Sequence, residues 1–141
     1  MSSLTPVELC VALPWPDRRL SPNARVHWSR RAKAVKLARQ EALALAFEAG
    51  ARRLRITGQP RIAMTFCPPD RRRRDMDNLI ASMKAANDGI ADALNVDDSR
   101  FISTYSMGAP VRGGAVLVTV RSVTAKIVET GAPCTVVVRA L

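Results

Sequence analysis

Residues 61–94 constrain this chain more than any other stretch. Ile62, Met64 and Phe66 alternate with Ala63, Thr65 and Cys67, the two-residue period of a strand over Arg61–Cys67. Pro68 and Pro69 end that strand, because proline brings no N–H to a ladder. Leu79, Ile80, Met83, Ala86, Ile90 and Leu94 then recur at helical spacing and predict one helix from near Asp77 to about Leu94. Gly89 weakens its middle. Asp77, Lys84 and Asp88 fall within a narrow arc on the opposite face of that helix.

The flanking chain completes the pattern. Residues 7–13 alternate as a first strand, ended by Pro14, Trp15 and Pro16. Residues 17–28 form a polar loop closed by His27 and Trp28. A lone loop histidine is an ordinary surface residue by default, and a DNA contact is the alternative. Ser29 is the expected N-cap of a helix to about Ala49, with Gly50 as its stop. Its apolar face is Val35, Ala38, Ala42, Leu45, Ala46 and Ala49, and Arg30, Lys33, Lys36 and Gln40 lie roughly opposite. Arg52, Arg53 and Arg55 form a basic connector. Residues 95–99 make a turn, residues 100–107 and 115–123 two more strands, and residues 135–141 a short edge strand. The expected fold is α+β, one compact domain in β-α-β-α-β-β order, with a small mixed sheet and two helices.

No apolar run reaches the roughly 20 residues of a membrane helix, and no signal peptide is visible at the start. Cys10, Cys67 and Cys134 are far apart and set among apolar residues. They read as reduced core cysteines of a cytoplasmic protein. The chain carries 22 Lys and Arg against 12 Asp and Glu, a net charge of +10. That excess points to nucleic acid or another anionic surface.

The acids are unevenly placed. Seven of the twelve (Asp70, Asp75, Asp77, Asp88, Asp92, Asp97 and Asp98) fall within residues 70–98. That segment also holds the consecutive Arg71, Arg72, Arg73 and Arg74. Acids beside the strongest basic run repel phosphate unless a cation bridges the two. One reading is therefore a metal-holding set of Asp75, Asp77 and one of Asp97 and Asp98, with the four arginines and the Arg30, Lys33, Lys36 face on DNA. The plainer one is that Asp75 and Asp77 neutralise the arginine run or cap a helix. Oxygen-only ligands suit Mg²⁺ or Mn²⁺, not zinc. No Ser-His-Asp or Cys-His pattern and no phosphate-cradling Gly loop is visible. Metal-assisted phosphodiester hydrolysis is the reaction these residues can support. Helix length would separate the carboxylates unless the chain doubles back, bends near Gly89, or meets a second subunit.

The sequence resembles the RusA-type Holliday junction resolvases. The matching residues are Leu13-Pro-Trp-Pro16, Pro69-Asp-Arg-Arg-Arg-Arg-Asp-Met-Asp-Asn-Leu79, Lys84-Ala-Ala-Asn-Asp88, Asp97-Asp98 and Gly113-Gly114, over roughly residues 7–123. The resemblance implies a homodimeric, Mg²⁺-dependent endodeoxyribonuclease that resolves four-way DNA junctions by paired nicks in recombination and repair. It assigns metal and catalytic roles to Asp75, Asp77 and Asp98, with Asp97 as the fallback for the third. The family's essential lysine falls four residues after the second aspartate, where this chain has Ala81. The local context matches instead at Lys84, as if about three residues were inserted, nearly one helical turn. Two alternatives stay open: a metal-dependent nuclease of broader substrate range, and a non-catalytic basic DNA-binding protein. For the implied homodimer, Val116, Leu117, Val118 and Val120 either pair across a subunit boundary or fill the monomer core.

Overall fold

Alternation in three strands delivers one apolar face. The structure, a computed structural model, describes residues 5–56 and 58–127, with side chains over 7–56 and 58–122. Its elements are β1 (Thr5–Pro14), α1 (Trp28–Glu48), β2 (Leu54–Ile56), β3 (Arg61–Cys67), α2 (Met76–Ser82), α3 (Lys84–Leu94), β4 (Ile102–Met107) and β5 (Ala115–Ile127). The strands form a mixed sheet in the order β1-β5-β3-β4, with β2 paired to the end of β5. β1 and β3 run antiparallel to β5, and β4 runs parallel to β3. The register stacks three buried rows: Leu13–Val116–Phe66, Val11–Val118–Met64 and Leu9–Val120–Ile62. Ala42, Ala46, Leu79, Met83, Ala86, Ile90 and Leu94 from the helices belong to the same core. The molecule is thus a small α+β fold with three helices.

Several expectations need correction. The single helix over 77–94 is two helices, broken at Met83 (φ −94°, ψ 0°) and not at Gly89. The Ser82 hydroxyl donates to the Asn78 carbonyl at 2.7 Å, a back-bond that bends helices. Met83 N–H turns to the Ile80 carbonyl in a tighter turn. Gly89 has another use: a Cβ there would run into the Arg39 carbonyl oxygen and sit 3.0 Å from Ala42 Cβ, so glycine lets α3 lie against α1. His27, not Ser29, is the N-cap of α1. Val35 is exposed and Ala34 takes its buried place. Part of the basic connector is β2. Residues 98–100 form a 3-10 turn ahead of β4, and β5 extends to Ile127. Cys67 is buried as expected. Cys10 is only half-buried, and burial together with the Glu8 carboxylate pushes its thiol up. Cys134 and the expected strand over 135–141 lie outside the described residues.

The valines of β5 are core. Val116, Val118 and Val120 are buried between β1 and β3, so β5 is no pairing edge. β4 ends the sheet on one side, as β1 does on the other. Ile102 N–H donates to Pro60 O and Gly108 N–H to Phe66 O, at 3.0 and 2.8 Å. Strand backbone groups alternate in direction, so those of Ser103, Tyr105 and Met107 face outward. All six β4 residues are exposed.

Candidate functional site

Scattered motif residues meet around Trp15. Its ring stands edge-on to Phe66, with centroids 6.4 Å apart, and the Arg74 guanidinium lies 5.3 Å from its centroid. Gly114 (φ +72°) closes the contact, since a Cβ there would stand 2.9 Å from Trp15 Cβ and 3.0 Å from Pro69 Cδ. Trp15 of the Leu-Pro-Trp-Pro segment, Pro69, Arg74 and Gly114 are therefore one construction, which holds the end of the basic run against the sheet end.

Within the run the arginines differ. Arg74 pairs with Asp70 at 2.8 Å and donates to the Asp70 and Arg72 carbonyls, with 18% of its side chain exposed. It is a strut. The Arg72 N–H and then the Arg74 side chain hold the Asp70 carboxyl below the usual aspartate range. Arg71 and Arg73 are exposed and have no ion pair among the described residues, while Arg72 keeps a loose contact of 3.9 Å to Asp70. Arg30, Lys33 and Lys36 are exposed along α1.

Asp75 caps α2. Its backbone is extended (φ −81°, ψ 120°), and its carboxylate accepts from Asp77 N–H at 3.0 Å and Asn78 Nδ2 at 3.3 Å. The expected capping role is real, and an exposed carboxylate remains at the helix start. Asp77, two residues on, is exposed and its carboxylate has no partner among the described residues.

The break at Met83 starts α3 with Lys84. At the far end Asn95 takes the left-handed conformation (φ 55°, ψ 46°) and the chain doubles back. That reversal brings Asp98 onto Lys84. The ammonium donates to Asp98 Oδ2 and, at 2.9 Å, to Asp88 Oδ1. Asp98 and then Asp88 push the lysine up, and the Lys84 hydrogen bond holds the Asp98 carboxyl low. Asp97 caps the 3-10 turn, accepting from Ser99 N–H at 2.9 Å, and makes no ion pair with Lys84 among the described residues. It does not replace Asp98 beside the lysine.

The expected residues thus form two groups: Asp75 with Asp77, and Lys84 with Asp98. The helix break puts Asp77 on a different helix from Lys84 and Asp88. Among the described residues no three His, Cys, Asp or Glu side chains are placed to hold a metal ion together. Asp88 was not expected in the site, although its four-residue spacing from Lys84 is the signal for such a pair. The Asp70–Arg74 strut carries the same spacing.

No helix among the described residues is long and apolar enough to cross a membrane. No family model matches the chain. An uncharacterized protein of Xylella fastidiosa (strain Temecula1 / ATCC 700964) is 46% identical to it over 117 residues, which cover 81% of this chain and 76% of that protein.

Proposed function

We propose that the chain, which belongs to the same family as the Xylella fastidiosa protein, is a divalent-cation-dependent endodeoxyribonuclease of branched DNA, a RusA-type resolvase of four-way junctions. The observation that carries this reading is the reversal at Asn95. It delivers Asp98 to Lys84, so two distant parts of the motif come together beside the helix that Asp75 and Asp77 begin.

The donor set is oxygen only, which fits Mg²⁺ or Mn²⁺ in its chemistry. Asp75 and Asp77 would hold the ion with Asp98, although the three carboxylates do not converge in the isolated chain. A bound ion would supply an activated water and offset charge on the scissile phosphate. The chain's own residues do the rest. Arg71 and Arg73 take phosphate, and Arg74 fixes the segment that carries them. Lys84 holds Asp98 and offers a positive charge to the phosphate beside it. Paired nicks require two sites, so the active form is a homodimer, and the open β4 edge is the surface suited to antiparallel pairing with its own copy.

The test is a synthetic four-way junction incubated with and without Mg²⁺ or Mn²⁺, beside a linear duplex. Cation-dependent paired nicks in the junction alone are expected. Equal cutting of the duplex would mean a nuclease of broader range. The Lys84–Asp98 ion pair favours one further reading, a DNA-binding protein without cleavage, because it neutralises a carboxylate the metal would need. Junction binding with no nicks under either cation would establish that reading.

A further inference from the structure

Trp28 is the most exposed large apolar side chain among the described residues, at 75% of its surface. It stands at the head of α1, and the nuclease reading gives it no task. Its neighbours are tied by several contacts. The His27 ring lies 5.5 Å from the Trp28 ring at 36°. His27 Nδ1 accepts from Ser29 N–H at 3.3 Å and lies 2.7 Å from Ser29 Oγ, which orients the imidazole. Below them the Arg31 guanidinium donates to the Ala24 carbonyl at 2.8 Å, and Ala24 N–H donates to Ser21 O at 3.0 Å, which ties the preceding loop to the helix. Two adjacent rings are held in place and left open.

The nearby charges select the occupant. Arg25, Arg30 and Lys33 are exposed close by in sequence and have no ion pair among the described residues. Lysine is depleted at protein interfaces, and cations without a carboxylate partner call for an anionic occupant. Unpaired nucleic acid offers what the patch lacks, a flat π-face for the indole and phosphates for the cations.

We infer that Trp28, with His27, is a stacking site for an unpaired DNA base, the kind exposed at a branch point or a single-stranded end. The inference rests on the DNA reading above and adds a preference for unpaired bases, made by a residue outside the proposed catalytic set.

The test uses the full chain without divalent cation, an oligothymidylate of about twelve nucleotides and a blunt duplex. Trp28→Ala should bind the oligothymidylate roughly tenfold more weakly or worse and keep its duplex affinity, while Trp28→Phe should retain most of the binding. Quenching of tryptophan fluorescence by the oligothymidylate should be seen in the wild type and be largely lost in Trp28→Ala. Because Trp28 is open to solvent, its variants should melt with the wild type. Equal oligothymidylate affinity for Trp28→Ala and wild type would overturn the stacking site and leave the nuclease reading standing. If the wild type binds neither DNA, both fail.

Discussion

Lys84 and Asp98 are fourteen residues apart in sequence and meet side chain to side chain where α3 begins. The contact joins a lysine and an aspartate that resemblance alone assigns to one reaction. It also means that Asp98 can receive a cation only if the ammonium shifts toward Asp88 or the phosphate.

Lys84→Met should therefore act on both pH limbs. With Lys84 present, the native Asp98 pKa is lowered, so its contribution to stability is complete above the unfolded value of about 3.9 and is lost as pH falls through the lower native value. The lysine's own contribution is present below about 10.4 and is lost as pH rises through its raised native value. In Lys84→Met the Asp98 titration followed by carboxyl NMR should move up toward the ordinary aspartate range. Junction nicking should fall while junction binding persists. An unmoved Asp98 titration would contradict the pairing.

Asp75 and Asp77 should separate by stability. Asp75→Ala removes a cap and should lower unfolding free energy by about 0.5–2 kcal/mol, whereas Asp75→Asn keeps most of it. Asp77→Asn should change melting little, because its carboxylate has no side-chain partner among the described residues and loses only its place in the first turn of α2. Both asparagine variants should abolish nicking and retain binding, since the arginines are untouched. Loss of binding in a folded variant would count against metal-ligand roles.

The arginines should also divide. Replacing Arg71 and Arg73 together by alanine should leave thermal stability intact and flatten the plot of log affinity against log salt by about two units. Arg74→Ala should lower the melting temperature instead, because it removes the Asp70 pair and the Trp15 contact. A salt slope unchanged by the double replacement would place the DNA elsewhere.

If β4 is the subunit contact, Ser103→Pro is a selective probe. Its N–H faces the free edge, so proline there leaves the β3 ladder intact. Light scattering at micromolar concentration should give a dimer for the wild type and a monomer for the variant, with similar melting temperatures. A wild-type monomer that makes both cuts would remove the dimer from the mechanism.

Most of the fold was legible because alternation and proline stops act locally. The β3 boundaries and its buried residues follow directly from the period of residues 61–67. The helix break was misplaced because Gly89 is the weaker helix former, while Ser82 bends the helix through a bond that no propensity scale contains. β2 was missed because three residues, one of them Arg55, carry too little pattern. In the site, the cap at Asp75 was readable from residue type. The meeting of Lys84 and Asp98 was not, because it depends on Asn95 adopting a left-handed turn. The role of Arg74 was hidden in a run of four identical residues that only tertiary packing tells apart.

Gly89 gives the helix pair a mechanical character. Where its side chain is absent, the α3 backbone rests directly on that of α1, and Arg39 bonds Asp92 at 2.7 Å one turn further along. Lys84 lies five residues earlier on the same rod, about 7.5 Å of helix rise away. The rod is a lever with its fulcrum at the bare backbone contact. A single added methyl at position 89 would tilt it and swing the lysine away from Asp98 without touching either residue. Heat-labile activity in an otherwise folded chain is the phenotype such a fulcrum creates, and position 89 is where to look for it.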